Sequence, residues 1–222
     1  MKTKKLTNLF VSADLPNDHL LVAFAREKNV HLLAQSLITF QDLNNTTTAD
    51  YSVVFFSSPR SFNYFISSNK LSDNIEIGVI GAGTKKNLNE FFSQIKFVGE
   101  QAGNPAQVAA DFKAWLGDRM VLFPQAKKSH ETISSLIPAN QKIILPVYET
   151  LALPLVVPSQ DIYVFTSPSN VSSFLHKNAM PTGAKVIAWG ATTQKACEQE
   201  GITVWKTLLT STYEELMDLL RL

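Results

Sequence analysis

Phe56-Ser57-Ser58-Pro59 returns as Phe165-Thr166-Ser167-Pro168, with Pro59 and Pro168 separated by 109 positions. At the same offset Gly81-Ala82-Gly83-Thr84 becomes Gly190-Ala191-Thr192-Thr193 and Phe65 becomes Phe174, so no gap separates the paired motifs. Each motif closes a short apolar run and opens an amphipathic stretch, which is the pattern of a parallel sheet flanked by helices. Working outward from the repeat, strands are predicted at Leu9–Val11, Ser36–Phe40, Ser52–Phe56, Glu76–Ile80 and Ile95–Val98. A second series follows at Met120–Phe123, Ile143–Tyr148, Ile162–Phe165, Lys185–Ala188 and Thr203–Trp205. Helices are predicted at Asn17–Lys28, Pro105–Leu116 and Thr212–Leu222, the last opened by Ser211 and Glu214 at capping-box spacing. Upstream the pairing is weaker: Leu9–Val11 resembles Val121–Phe123, and Ser36–Phe40 resembles Pro146–Thr150. The same order of strands and helices thus occurs twice. The reading is an α/β protein of two similar flavodoxin-like parallel-sheet domains, with function in the cleft where they face each other.

Composition narrows the function. The 222 residues suit two domains better than one, and a net charge of +1 provides no broad positive field of the kind nucleic-acid binding requires. An anionic ligand must therefore be held by local donors. The basic start Met1–Lys5 leads into an apolar stretch interrupted by Thr7 and Asn8 and soon met by Asp14, which is too short and too polar for a signal peptide. No run approaches the roughly 18 apolar residues of a membrane helix. Cys197 is the single cysteine, which excludes an internal disulfide, so the expected compartment is the cytoplasm.

In Ser57-Ser58-Pro59-Arg60 a hydroxyl falls at the N-cap position, and proline takes the first helical position, where its missing N–H does no harm. One use of such a start is capping alone; the other is an anion site made of free N–H groups and the Ser58 hydroxyl. Gly81-to-Thr84 and Gly190-to-Thr193 also lie between strand and helix, each with a glycine that admits close backbone approach and a threonine suited to a cap. Gly81-Ala82-Gly83 is not a dinucleotide fingerprint, because Lys86 stands at the third glycine position. Open sheets bind ligands beyond the carboxyl ends of their strands, and four such helix starts in two related units favour a shared cleft. His19, His31, His130 and His176 are scattered without ligand spacing, so no metal site is predicted. Cys197 reads as a small buried apolar residue. Lys127-Lys128, after the strand ending at Phe123-Pro124, are either a solvated basic turn or part of a polyanion site. Tyr148 lies near a proline-rich connector through Pro154 and Pro158, where hinge packing and a cleft-facing hydroxyl are both open.

At these residues the chain resembles the uroporphyrinogen-III synthase family, which closes the ring in tetrapyrrole biosynthesis. The resemblance runs through Phe56–Arg60, Gly81–Thr84, Gly103-Asn104, Leu122-Phe123-Pro124, Val147-Tyr148-Glu149-Thr150, Phe165–Pro168 and Gly190–Thr193. No single motif is specific; order and spacing carry the likeness. It implies that the chain starts in one domain, builds the whole second domain and returns. Residues 1–37 with 150–222 would then form the first domain and 38–149 the second, joined by two adjacent linkers that act as a hinge.

The resemblance further implies hydroxymethylbilane, a linear tetrapyrrole with eight carboxylates, as substrate, and no metal or organic cofactor. Loss of the terminal hydroxyl gives an azafulvene; attack by the distal ring at its own substituted carbon gives a spiro intermediate; fragmentation and reclosure invert that ring. Tyr148 matches the family's tyrosine and is the implied partner of the departing hydroxyl. Ser58, Thr84, Ser167 and Thr193, with Ser57, Gly81, Thr166 and Gly190 beside them, are the implied carboxylate ligands. Where many relatives carry an Arg-Gly pair after Phe-Pro, this chain has Gln125-Ala126-Lys127-Lys128; lysine supplies charge without a bidentate fork. A monomer is the default assembly. The competing reading is a two-lobed cytosolic protein that closes on a small anion without chemistry, or an inactive synthase relative.

Overall fold

A computed structural model describes residues 7–100, 104–129 and 131–221; Met1–Lys5, Gly103, His130 and Leu222, which enter the sequence reading, lie outside the described residues. The chain runs β1 (Thr7–Val11), α1 (Leu20–Glu27), β2 (Val30–Ala34), β3 (Ile38–Asp42), β4 (Val53–Phe56), α2 (Pro59–Ser68), β5 (Glu76–Ile80), α3 (Gly81–Asn87), β6 (Ile95–Gly99) and α4 (Pro105–Leu116). It continues through β7 (Val121–Ala126), β8 (Lys142–Ala152), β9 (Ile162–Phe165), α5 (Pro168–Leu175), β10 (Lys185–Ala188), α6 (Ala191–Gln199), β11 (Lys206–Thr207) and α7 (Tyr213–Leu220). The backbone divides into two compact units, one running to Thr39 and resuming at Leu151, the other spanning Phe40–Thr150. β3 carries the chain into the second unit and β8 carries it back.

The first unit has the sheet order β11-β10-β9-β1-β2, with every pair parallel. Counted within that unit, this is the 2-1-3-4-5 order of a flavodoxin-like sheet. The second has β3-β8-β7-β4-β5-β6, and without the edge strand β3 its order is again 2-1-3-4-5 if β7 is counted first. The two sequence copies, β1 to β6 and β7 to β11, therefore do not fold side by side. They exchange their leading strands: β1 and β2 stand beside β9, while β7 and β8 stand beside β4.

β4 is Val-Val-Phe-Phe with every residue buried, because both faces of the strand are covered. Val54 and Phe56 join an apolar cluster with Phe62 and Phe65 of α2, while Val53 and Phe55 pack with Phe112 and Leu116 of α4. In the first unit Phe10 and Phe165 meet Phe174 of α5 on one face, and Leu9, Val11 and Val164 meet Leu21 and Leu216 on the other. Cys197 is fully buried in α6 against the former cluster, and burial pushes its thiol up to about 11.

Several expectations are corrected. The strand expected at Ser36–Phe40 is β3, displaced to Ile38–Asp42, and β2 precedes it as a strand that was not expected; Val30–Ala34 continues the apolar period of α1, and only Asn29, at φ 54°, marks the break. The last strand lies at Lys206–Thr207 rather than Thr203–Trp205, since backbone pairing with Ile187 and Ala188 sets its place, while Trp205 lies under the Lys185 ammonium. Between β7 and β8 the described residues form two short 3-10 turns, Ser134–Leu136 and Ala139–Gln141, where the repeat would put a helix. The cap of α7 is Thr212, which accepts from the Glu215 amide, not Ser211. Ser211 sits at φ 53° and donates to the Trp189 carbonyl. Glu215 accepts from the Leu209 and Thr210 amides and from the Thr210 hydroxyl, and these bonds hold its carboxyl below the usual glutamate range.

A Cβ on Gly99 would come within 2.3 Å of Val108 Cγ1. Gly99→Ala is expected to destabilise the protein by about 1–3 kcal/mol in urea unfolding, with Val108→Ala restoring part of the loss. Because the Glu215 value is lowered on folding, its contribution is complete above the ordinary glutamate range and disappears as pH falls through the lowered native value. Glu215→Gln is expected to flatten that acid limb and to speed hydrogen exchange at Leu209 and Thr210.

Candidate active site

Apolar strands buried on both faces can release polar groups only where they end, and in the second unit the register brings those ends to one level. Phe56 stands beside Val79, and Ala126 stands beside Tyr148. Ser57-Ser58, Gly81 and Ala126-Lys127 consequently emerge along one edge of β4, β5 and β7, and Tyr148, inside β8, stands level with them. Ser58 is the cap of α2, accepting from the Ser61 amide at 3.1 Å, with Pro59 in the first turn. Gly81 takes φ 73° at the turn from β5 into α3, a conformation that costs a side-chain-bearing residue. A cavity of about 220 Å3 opens here, lined by Ser57, Ile80, Pro124, Gln125 and Glu131 among others. It lies between β4 and β7, where the connections leave in opposite directions, the usual ligand position in such sheets. A larger hollow of about 550 Å3 in the first unit, bordered by Thr7, Asp161 and Lys185, sits at the amino ends of its strands, away from these motifs.

Tyr148 is held from three sides. The β7–β8 register slips between Gln125 and Ala126, so that Val147 and Tyr148, consecutive in the strand, both join the same apolar cluster. The ring stacks on Tyr64 of α2 at 5.2 Å and takes the Phe40 ring edge-on at 5.9 Å. The Arg60 guanidinium lies 3.6 Å from the Phe40 centroid and 5.9 Å from that of Tyr148. Tyr148 is 8% exposed, and its hydroxyl makes no hydrogen bond to the described residues although it is not sealed from solvent. Its carbonyl accepts from the Lys127 amide at 2.8 Å. Lys127 also pairs with Glu149 at 3.0 Å, so this lysine has a local acidic partner; Lys128 is exposed.

The first unit builds a matching edge from the other copy of the motif. Ser167 caps α5 and accepts from the Asn170 amide at 3.3 Å, with Pro168 in the first turn. Thr166 reaches across to β1: its amide donates to Ser12 Oγ at 2.9 Å and its hydroxyl to the Ser12 carbonyl at 2.7 Å. The two glycines of the repeat differ, since Gly190 has extended backbone, and a Cβ there would meet Ser211 Oγ at 3.2 Å.

Thr84 and Thr193 do not cap. α3 begins at Gly81 and α6 at Ala191, which puts both threonines inside the helices, 5% and 2% exposed respectively. Within the repeated motifs, the hydroxyls that cap helix starts are those of Ser58 and Ser167. Arg60 and Asn170 escaped the sequence reading. Arg60 was visible only as the last residue of the Ser-Pro motif, and Asn170 only as the counterpart, 109 positions on, of Ser61. Of the histidines, His19 caps α1 and packs on Tyr213. Among the described residues no group of three or more His, Cys, Asp or Glu could hold a metal ion, and no helix is long and apolar enough to cross a membrane.

The sequence profile of the family described as uroporphyrinogen-III synthase HemD matches residues 22–214. Comparison with curated protein sequences finds no match. Among solved structures the chain is similar to uroporphyrinogen-III synthetase from Helicobacter pylori, with 17% identity, 97% of this chain and 99% of that one covered, and a TM-score of 0.69. It is also similar to a mutant uroporphyrinogen III synthase from the extremely thermophilic bacterium Thermus thermophilus, with 13% identity, 97% and 98% covered, and a TM-score of 0.63. At such identities these structures establish the fold, and the profile establishes kinship. The chain belongs to the uroporphyrinogen-III synthase family.

Proposed function

We propose that this chain converts hydroxymethylbilane to uroporphyrinogen III, with Tyr148 as the residue that touches the departing hydroxyl. Members of the family are cyclising lyases of haem biosynthesis that act on a tetrapyrrole. The observation that carries the role of Tyr148 is a ring fixed by Tyr64, Phe40 and Arg60 with its hydroxyl left without a hydrogen bond to the described residues. A phenol so placed can donate to the leaving oxygen without first breaking a bond of its own.

The electron-rich terminal pyrrole expels hydroxide, which leaves as water once it gains a proton, and an azafulvene remains. The distal ring attacks through its substituted carbon to form the spiro intermediate. One of the bonds to that carbon then breaks, the fragment recloses in the inverted orientation, and loss of a proton restores aromaticity. Water and cyclic product balance the substrate, and no external oxidant or reductant is required. The protein's part is to bring the two ends of a flexible chain together and assist proton transfer.

Ser57, Ser58 and Gly81 in one unit and Thr166, Ser167 and Gly190 in the other supply hydroxyls and helix-start amides for the carboxylates, with Thr84 and Thr193 behind them. Each helix start contributes about 0.3–1 kcal/mol toward an anion, so affinity is built from many small terms. Lys127 and Lys128 add positive charge. The domain organisation we infer is discontinuous, 1–37 with 150–222 and 38–149, and two crossing strands beside each other suit a hinge. The near-neutral charge and the small-molecule substrate suit a cytoplasmic monomer without nucleic-acid partners.

Freshly generated hydroxymethylbilane, fed to the purified protein and followed by oxidation and isomer separation, should yield type III uroporphyrin above the no-enzyme control; type I alone from folded protein would refute the assignment. Tyr148→Phe should lower kcat by about ten- to a hundredfold while leaving the thermal midpoint nearly unchanged. Lys127→Ala combined with Lys128→Ala should raise KM several-fold, about three- to fivefold, with a dependence on salt. Since a surface pair such as Lys127–Glu149 contributes little to stability, folding should be unaffected. Chelators should leave activity unchanged, and inactivation reversed by metal would contradict the mechanism.

A further inference from the structure

We infer that Asn170 is a positioning residue that turns the Ser167 hydroxyl into an outward-facing hydrogen-bond donor; this rests on the reading of Ser167 as a carboxylate ligand. Asn170 is 2% exposed, and its side chain meets three groups. Oδ1 accepts from the Leu37 amide at 2.9 Å, while Nδ2 donates to Thr166 Oγ1 at 3.3 Å and to Ser167 Oγ at 3.0 Å.

The orientation of the amide is dictated by chemistry. Leu37 is fully buried, and its backbone N–H requires an acceptor, so the oxygen of Asn170 must face it. The amide nitrogen is then turned to the two hydroxyls, and both must accept. Thr166 sends its own proton to the Ser12 carbonyl at 2.7 Å. Ser167 Oγ accepts twice, from Asn170 Nδ2 and from the Asn170 backbone amide at 3.3 Å, which fills both of its lone-pair positions. Its proton has no acceptor among the described residues. What remains is a half-buried hydroxyl able only to donate, at the start of α5.

The other copy of the motif lacks this device. Ser61 occupies the position of Asn170, and its hydroxyl turns back to the Ser58 carbonyl at 2.8 Å. Among the described residues Ser58 Oγ thus accepts one bond, from the Ser61 amide, and keeps one acceptor position open. A hydroxyl with a free acceptor position can rotate to meet either a donor or an anion; one with none is committed to the anion before it arrives. The Leu37 bond makes this commitment depend on the backbone just before β3, which leads into the second unit.

Asn170→Asp is the decisive variant. It keeps an oxygen for the Leu37 amide but offers a second acceptor where Nδ2 stood, so the Ser167 proton turns inward and a negative charge is added. With hydroxymethylbilane as substrate, KM should rise about tenfold or more and kcat should change by less than about twofold. Should aspartate prevent folding, judged by the thermal midpoint, Asn170→Ser installs what the other repeat carries and should raise KM about threefold. Ser167→Ala alone should raise KM about fivefold, and in that background Asn170→Ser should add less than about twofold, because its effect runs through the missing hydroxyl. An altered KM in Ser167→Ala with an unaltered KM in the folded Asn170 variants would overturn the positioning role alone. So would independent, multiplying effects of the two substitutions. An unaltered KM in Ser167→Ala would remove the carboxylate-ligand reading and this inference with it.

Discussion

A strand covered on both faces has no place for a polar side chain until it leaves the sheet, and this constraint organises the whole molecule. β4 is apolar from end to end, and β9 carries a single phenol, Tyr163, whose hydroxyl accepts from the Gln160 amide, so the next hydroxyls, Ser57-Ser58 and Thr166-Ser167, fall at the sheet edge and at the start of a helix together. Unpaired amides of the first helical turn stand in the same place. Chemistry that needs many hydrogen-bond donors and no metal can therefore be assembled from what the fold leaves over at its edges. The Tyr148 clamp follows the same logic, since a bulge next to Pro146 is what turns a strand residue toward α2 and away from the opposite face.

The fold class was legible because burial on both faces writes continuous apolar runs of strand length, bounded by Pro and Gly signals that only helix starts and turns require. β4, β5, β9 and β10 are found within a residue of where those runs end, and α4 coincides with Pro105–Leu116. β2 was hidden because Val30–Ala34 prolongs the helical period of α1, and β11 because two residues on an edge pair through backbone alone. The exchange of leading strands between the two copies was invisible in local pattern, since a repeat tells which segments are alike and says nothing of which ones become neighbours.

At the site, caps were readable and packing was not. Ser58 and Ser167 announce themselves by the proline that follows each of them. Thr84 and Thr193 looked like caps but sit inside their helices, because a glycine can begin a helix without any side-chain oxygen. Arg60 acts through the faces of Phe40 and Tyr148, residues 20 or more positions away in sequence, and Asn170 through Leu37, 133 positions away. Long-range contacts of this kind leave no periodic trace.

The exchanged strands also bear on how the protein is made. β1 pairs with β9 across a separation like that of Asn8 and Asp161, 153 residues apart, whereas every strand of the Phe40–Thr150 unit is available before β9 has been synthesised. During translation the second unit can close while β1 and β2 wait as a short apolar ribbon with an unpaired edge. A segment made before the Phe40–Thr150 unit is completed only after it, and for that interval the nascent chain carries one finished domain and one unfinished one.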